Sequence, residues 1–170
     1  MIKLILNLWS RLETLLIGVL LIMALGVFLS GGALRVFAPQ YAVDWTTEVA
    51  LYFMIWATVI AGVAILPEHR HLSAEIFVAM LPQHIRRGLG WVISIVALVF
   101  VFVVLLYGWH AYEFSNLLDE RSASSLRLPQ GIPVFLALPV GMGLILLRAG
   151  LMILDGQQPF SAPTDTDEVK

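Results

Sequence analysis

Four long apolar stretches, separated by short polar punctuation, set the pattern of this chain. Residues of about 15–37, 49–66, 89–112 and 132–154 each form a nearly continuous apolar run. Each is close to the roughly 20 residues that a helix needs to cross a bilayer. Prolines supply much of the punctuation. Pro39 ends the first run, Pro67 closes the second and Pro82 marks a boundary before the third, because the residue ahead of a proline is pushed out of helical geometry while a proline fits a helix's first turn. From Pro82 a helix is expected to continue through Arg86, Arg87 and Trp91 to Tyr112, on the order of 45 Å at 1.5 Å per residue. That exceeds a bilayer core, so the helix projects past the membrane or tilts strongly. Pro139 lies inside the fourth run, where the loss of one backbone hydrogen bond predicts a kink.

Two further segments show helical spacing without the length to span. Within residues 2–13, Ile2, Ile5, Leu6, Leu8, Trp9 and Leu12 fall broadly on one side, with Lys3, Asn7, Ser10 and Arg11 elsewhere. This pattern predicts a helix along the headgroups, or an early extension of the first span. Residues of about 71–81 place Leu72, Ile76, Phe77 and Met80 at helical spacing, with Ser73 and Glu75 as polar positions; the segment is too short and too charged to span. The chain from Leu15 to Val36 could be confused with a secretory signal, but no A-x-A-like site follows it. Ser30, Gly31, Gly32 and Ala33 are a weak substitute, so an uncleaved first span is expected. Residues 156–170, rich in acids and with Pro159 and Pro163, are expected to be a disordered tail. The fold class is therefore an all-α integral membrane protein. Residues 1–155 form a single membrane domain of four transmembrane helices with an N-terminal and a mid-chain amphipathic interfacial helix.

Composition agrees with this and excludes several functions. The chain is 59% hydrophobic and 13% charged with mean hydropathy +0.89, too little polar surface for a water-soluble domain. A net charge of -2 offers no basic field for nucleic acid. The absence of cysteine removes disulfides, thiolate metal sites and a cysteine nucleophile. Counting Lys and Arg, the side that holds both termini carries Lys3, Arg11, Arg70, Arg86, Arg87, Arg148 and Lys170, against Arg35, Arg121 and Arg127 opposite. This bias predicts cytoplasmic termini.

The span interiors are read as free of Asp, Glu, Lys, Arg and Asn, with Glu13 and Glu48 at their borders. Ion and proton paths need intramembrane ionisable groups, so the chain alone is not expected to be a carrier or a drug/proton exchanger. A b-type haem needs axial histidines projecting from spanning helices, yet only His110 lies near a span. A metal site at His71, Glu75 and Glu68 is the weaker alternative. No metal, cofactor or catalytic residue is expected, and the chain is not read as an enzyme. Several residues remain as candidates for a partner or lipid interface, His71, Glu75 and Pro139 among them. Trp45 and Trp56, with Tyr52, suit the membrane interface. Glu48 can cap the second span or pair with a cation, and Arg86 and Arg87 can meet anionic headgroups. Gly18 and Gly26, with Ser30, form a smooth strip that a second helix could approach closely.

Taken in order, one series covers about residues 10 to 152. It comprises Trp45 and Glu48 before the second span, Trp56 within it, Gly62 and the charged turn with His71, then Glu75, Leu81-Pro82 with Arg86, and Ile132-Pro133 leading to LALPVGMG and Arg148. The series resembles the small membrane subunit of tripartite ATP-independent periplasmic (TRAP) transporters, a DctQ-like chain. One departure is a lone Glu48 preceded by Thr47, where many relatives have two adjacent acids. The resemblance implies a non-catalytic subunit in the bacterial inner membrane, working with a large multi-span membrane subunit that carries the substrate and sodium sites and with a periplasmic substrate-binding protein. The substrate it implies is an organic acid. The different class kept beside it is a membrane-anchor or cofactor-holding subunit of a respiratory enzyme.

Overall fold

The structure of the chain, a computed structural model, describes residues 2–65 and 83–154, with side chains described over 6–65 and 88–154. Four long helices dominate it: α1 (Ile2–Phe37), α2 (Thr46–Ile65), α3 (Gln83–Leu117) and α4 (Ala137–Leu154). With the turn that precedes α4, all four are long and apolar enough to cross a membrane, over Leu6–Phe37, Thr46–Ile65, Gly88–Leu117 and Gly131–Leu154. The four spans expected from hydropathy are therefore present. The expected mid-chain helix of 71–81, His71, Glu75 and the tail of 156–170 lie outside the described residues, and Arg86 and Arg87 are placed only as backbone in the first turns of α3.

No break separates the N-terminal segment from the first span. α1 runs for 36 residues, so the amphipathic start is an extension of that span. Its periodicity has a cause other than the headgroups, because part of it faces protein, as described below. α3 is also longer than expected, at 35 residues, or about 52 Å. The polar sequence from Glu113 to Asn116, beyond the expected end at Tyr112, stays helical. A backbone cap ends the helix after Leu117: Glu120 N donates to Ser115 O (3.1 Å) and Asp119 N to Asn116 O (3.2 Å). Asp119 takes the left-handed conformation that such a cap requires (φ 47°).

Pro139 does not kink the middle of α4. It stands in the helix's first turn, where a missing N–H costs little, and the irregularity appears just upstream as a π-helical turn over Gly131–Phe135. Leu136 N reaches back to Gly131 O there at 2.8 Å.

The helices pack in the order α1, α2, α4, α3, with α1 against α2, α2 against α4 and α4 against α3. Glycines set the closest approaches. At Gly31 an added Cβ would collide with the Thr46 side chain, and at Gly141 with Val59. At Gly108 it would come within 3.2 Å of Pro139 Cδ. The close approach at Gly31 follows from the short connection over 38–45, which folds α2 back directly onto the end of α1. A Cβ added at Gly18 or Gly26, the glycines singled out by spacing, would meet nothing within 4 Å, so neither is a point of close approach within the chain. The outer helices expose apolar side chains along their length, such as Leu15, Ile22 and Phe28 on α1 and Val96, Phe100 and Val103 on α3, as expected where the surroundings are lipid or another membrane protein.

Candidate functional site

Polar contacts gather at the two ends of this array. At one end three helices meet on Arg148. The side chain projects from α4, is 1% exposed, and forms a buried ion pair with Glu13 of α1, itself 5% exposed. The second guanidinium nitrogen donates to Ser10 Oγ at 2.7 Å. The other carboxylate oxygen of Glu13 accepts from Trp9 Nε1 at 2.5 Å, so both of its oxygens are engaged.

Arg148 has a third partner. Its Nη1 donates to the Val63 carbonyl on α2 over a longer 3.3 Å. Val63 is among the last residues of α2, whose carbonyls have no intrahelical donor, and the residue four positions on is Pro67, which carries no N–H. A cation at a helix C-terminus is also favoured by the helix dipole. Arg148 therefore neutralises α1, caps α2 and belongs to α4.

This junction corrects two readings of the sequence. Arg148 is not a flanking charge on the terminal side, and Glu13 is not a border charge; both lie inside packed spans. Burial of either alone is costly, and the pair is tolerated because each neutralises the other.

At the opposite end, the connection after α1 is tied to the loop after α3. Asp44 accepts from Ser125 N at 2.9 Å and from Ser125 Oγ at 2.5 Å. The loop itself folds back, with Ser122 N on Leu128 O and Gln130 N on Glu120 O, both at 2.9 Å, and with Arg127 in the left-handed region (φ 45°). Glu48 in the first turn of α2 accepts from the Tyr52 hydroxyl and faces the hydroxyls of Ser122 and Ser124. Its role is thus to join α2 to this loop. The Ser125 hydroxyl, and after it the Ser125 amide, hold Asp44 below the usual carboxylate range. A carboxyl depressed on folding stabilises the tie above the ordinary aspartate value of about 3.9, and that contribution is lost as pH falls through the lower folded value. Asp44→Asn should speed hydrogen exchange at the Ser125 amide at neutral pH and abolish the further loosening that acid produces in the wild type. Equal exchange in the two proteins would show that the tie does not form.

Of the remaining sequence candidates, Trp45 and Trp56 are half-buried. Pro139 is buried against Gly108. Gly18 and Gly26 face open space next to an apolar groove of about 340 Å³ between α1 and α2, lined by residues that include Ala24, Phe28, Ala50 and Met54. His110 is exposed beside Glu113 at 3.6 Å. Among the described residues no group of three or more His, Cys, Asp or Glu is placed to hold a metal ion. Sequence reasoning missed Ser10, Glu13, Arg148, Asp44 and Ser125.

Comparison with known proteins agrees with the architecture. The chain is similar to the isethionate TRAP transporter permease protein DctMQ of Oleidesulfovibrio alaskensis, 28% identical over 144 residues, which is 84% of this chain. The chain spans about a fifth of that relative's length, 21%. Residues 23–158 match the family described as tripartite ATP-independent periplasmic transporters, DctQ component. The match leaves out Glu13 and includes Arg148. With four candidate spans and a match over most of its length, the chain belongs to the DctQ family of TRAP transporter components, which are parts of transporters and not enzymes.

Proposed function

We propose that this chain is the stationary small permease subunit of a sodium-driven, binding-protein-dependent uptake system for an organic acid, the class that includes the isethionate in its relative's name. Family membership implies a larger membrane subunit and a periplasmic binding protein. In this reading the large subunit carries the sodium and solute sites, and this chain, without a cofactor of its own, anchors it in the bilayer. The stationary role rests on one observation above the others. Among the described residues Glu13 and Arg148 are the buried charged side chains, and they neutralise each other, while Arg148 Nε and Ser94 Oγ are the buried side-chain polar atoms left without a partner. A solute path needs polar groups left available to replace hydration; a wall in the membrane does not.

The chain is placed in the bacterial inner membrane with both termini cytoplasmic. With Arg148 withdrawn from the count, six Lys and Arg remain on the terminal side against Arg35, Arg121 and Arg127, so the bias persists. The tied loops at Asp44 and Ser125 then face the periplasm, and Arg86 and Arg87 meet phospholipid headgroups on the cytoplasmic side.

Reconstitution tests this reading. Vesicles that contain this chain together with the large subunit should take up solute when a sodium gradient and the binding protein are supplied, whereas vesicles with either membrane subunit alone should not. Uptake by this chain alone would overturn the proposal. Gly26→Leu should leave the isolated subunit unchanged, because Gly26 is exposed and a Cβ added there would meet nothing within 4 Å. It should reduce recovery of the complex with the large subunit, since a glycine strip admits a close helix only while it stays smooth. Full recovery of the complex would move the interface elsewhere.

A further inference from the structure

We propose that Glu13 and Arg148 are positioning residues: a clasp that fixes the register of α1 and the end of α2 against α4, and on which the rate of transport depends. The inference rests on the stationary-subunit reading and assigns that role to particular atoms. Its starting point is the helix order. α1 and α4 are separated by α2 along most of the array, yet Arg148 reaches past the end of α2 to two side chains of α1, Glu13 and Ser10.

Packing alone does not call for such a contact. A buried ion pair is seldom more stable than apolar residues of the same volume, and its best-attested use is to specify one arrangement among several. The α1–α2 seam needs such a device. Between Glu13 and Gly31, α1 offers Leu, Ile, Val, Ala, Gly, Met and Phe, with Thr14 and Ser30 bonded to their own helix, so a slip of one turn would exchange one apolar contact for another. At the clasp the same slip would present Trp9 or Ile17 to Arg148 in place of Glu13 and leave a buried cation unpaired. The guanidinium adds direction, because its planar fork donates along fixed lines. Those lines meet Glu13, Ser10 and the Val63 carbonyl together. An ammonium at position 148 would keep the charge and lose that geometry.

The test uses the full chain with its large subunit in vesicles, reading complex yield, maximal uptake rate and KM for the solute. Glu13→Leu and Arg148→Met should each lower complex yield. The double variant Glu13→Leu/Arg148→Met, which buries no charge, should recover yield but transport at a maximal rate reduced roughly 2- to 30-fold, the span for residues that act through coupling, with KM unchanged. Exchange of the charges in Glu13→Arg/Arg148→Glu should regain rate in part. Arg148→Lys, which leaves no unpaired charge, should assemble normally and transport slowly. A wild-type rate in the apolar double variant or in Arg148→Lys would overturn the clasp while leaving the subunit reading intact. Failure of the wild-type chain to join a large subunit would sink the subunit reading itself.

Discussion

Deletion of residues 2–13 should strip most of the folded chain from the membrane fraction, although Thr14 to Phe37 still exceeds the roughly 20 residues of a span. The damage comes from the far end of the sequence. The deletion removes Trp9, Ser10 and Glu13, and with them two of the three partners of Arg148. A buried charge that loses its counter-ion costs about 3–5 kcal/mol, comparable to the 5–15 kcal/mol that holds a typical domain together. Deletion of residues 2–8 makes the contrast, since it leaves every member of the junction in place and should accumulate nearly as the wild type. Quantitative blotting of membranes, with thermal unfolding in mild detergent, separates the two. If the segment served only as a headgroup-level helix, the two deletions would cause similar losses, and the junction would carry no weight in folding.

Gly141→Leu should be strongly damaging in the body of the array. A Cβ at Gly141 meets Val59 Cγ1, with Val59 Cβ at 3.6 Å; turning the Val59 side chain can clear a Cβ, but the rest of a leucine side chain would press α2 away from α4. That seam joins the α1–α2 pair to the α4–α3 pair. Overpacking of this kind costs about 1–3 kcal/mol and sometimes more, and here it falls on the contact between halves. The thermal midpoint of the isolated subunit should drop, while Gly26→Leu leaves it unchanged. Val59→Ala in the Gly141→Leu background should restore much of the loss, because the two positions share one space. Equal midpoints for Gly141→Leu and Gly26→Leu would place the seam elsewhere.

The comparison of those two glycines shows what the sequence could reveal. The number of spans was legible because hydropathy is a local property, averaged over a run. Close approach is not local. Gly18 and Gly26 recur at a helical spacing yet face open space, whereas Gly31 sits where the short connection returns α2. The small residues from Ser30 to Ala33 were visible, but their use depended on the fold-back. Glu13 and Arg148 were hidden for the same reason. Each reads as a border charge on its own, and their pairing across 135 positions leaves no trace in any window. The extension of α3 beyond Tyr112 escaped because Glu113 and Asn116 look like loop, while the backbone cap that ends the helix depends on Asp119 adopting an uncommon conformation.

The serial order of the helices has a mechanical consequence. Four cylinders in a row, each held by its neighbours, make a palisade and not a barrel, and a palisade is stiff along its posts but can fold about any seam. Resistance to folding comes from straps that skip a post. Among the described residues one rim has such a strap, Arg148 to Glu13 and Ser10, and the other has a tie between loops, Asp44 to Ser125. The two differ in kind. The buried strap is out of reach of solvent, whereas the exposed one weakens in acid. A bending load on the α2–α4 seam is therefore carried unequally, and protonation of Asp44, which its Ser125 bonds hold below the usual carboxylate range, weakens the loop rim and leaves the buried one as it was.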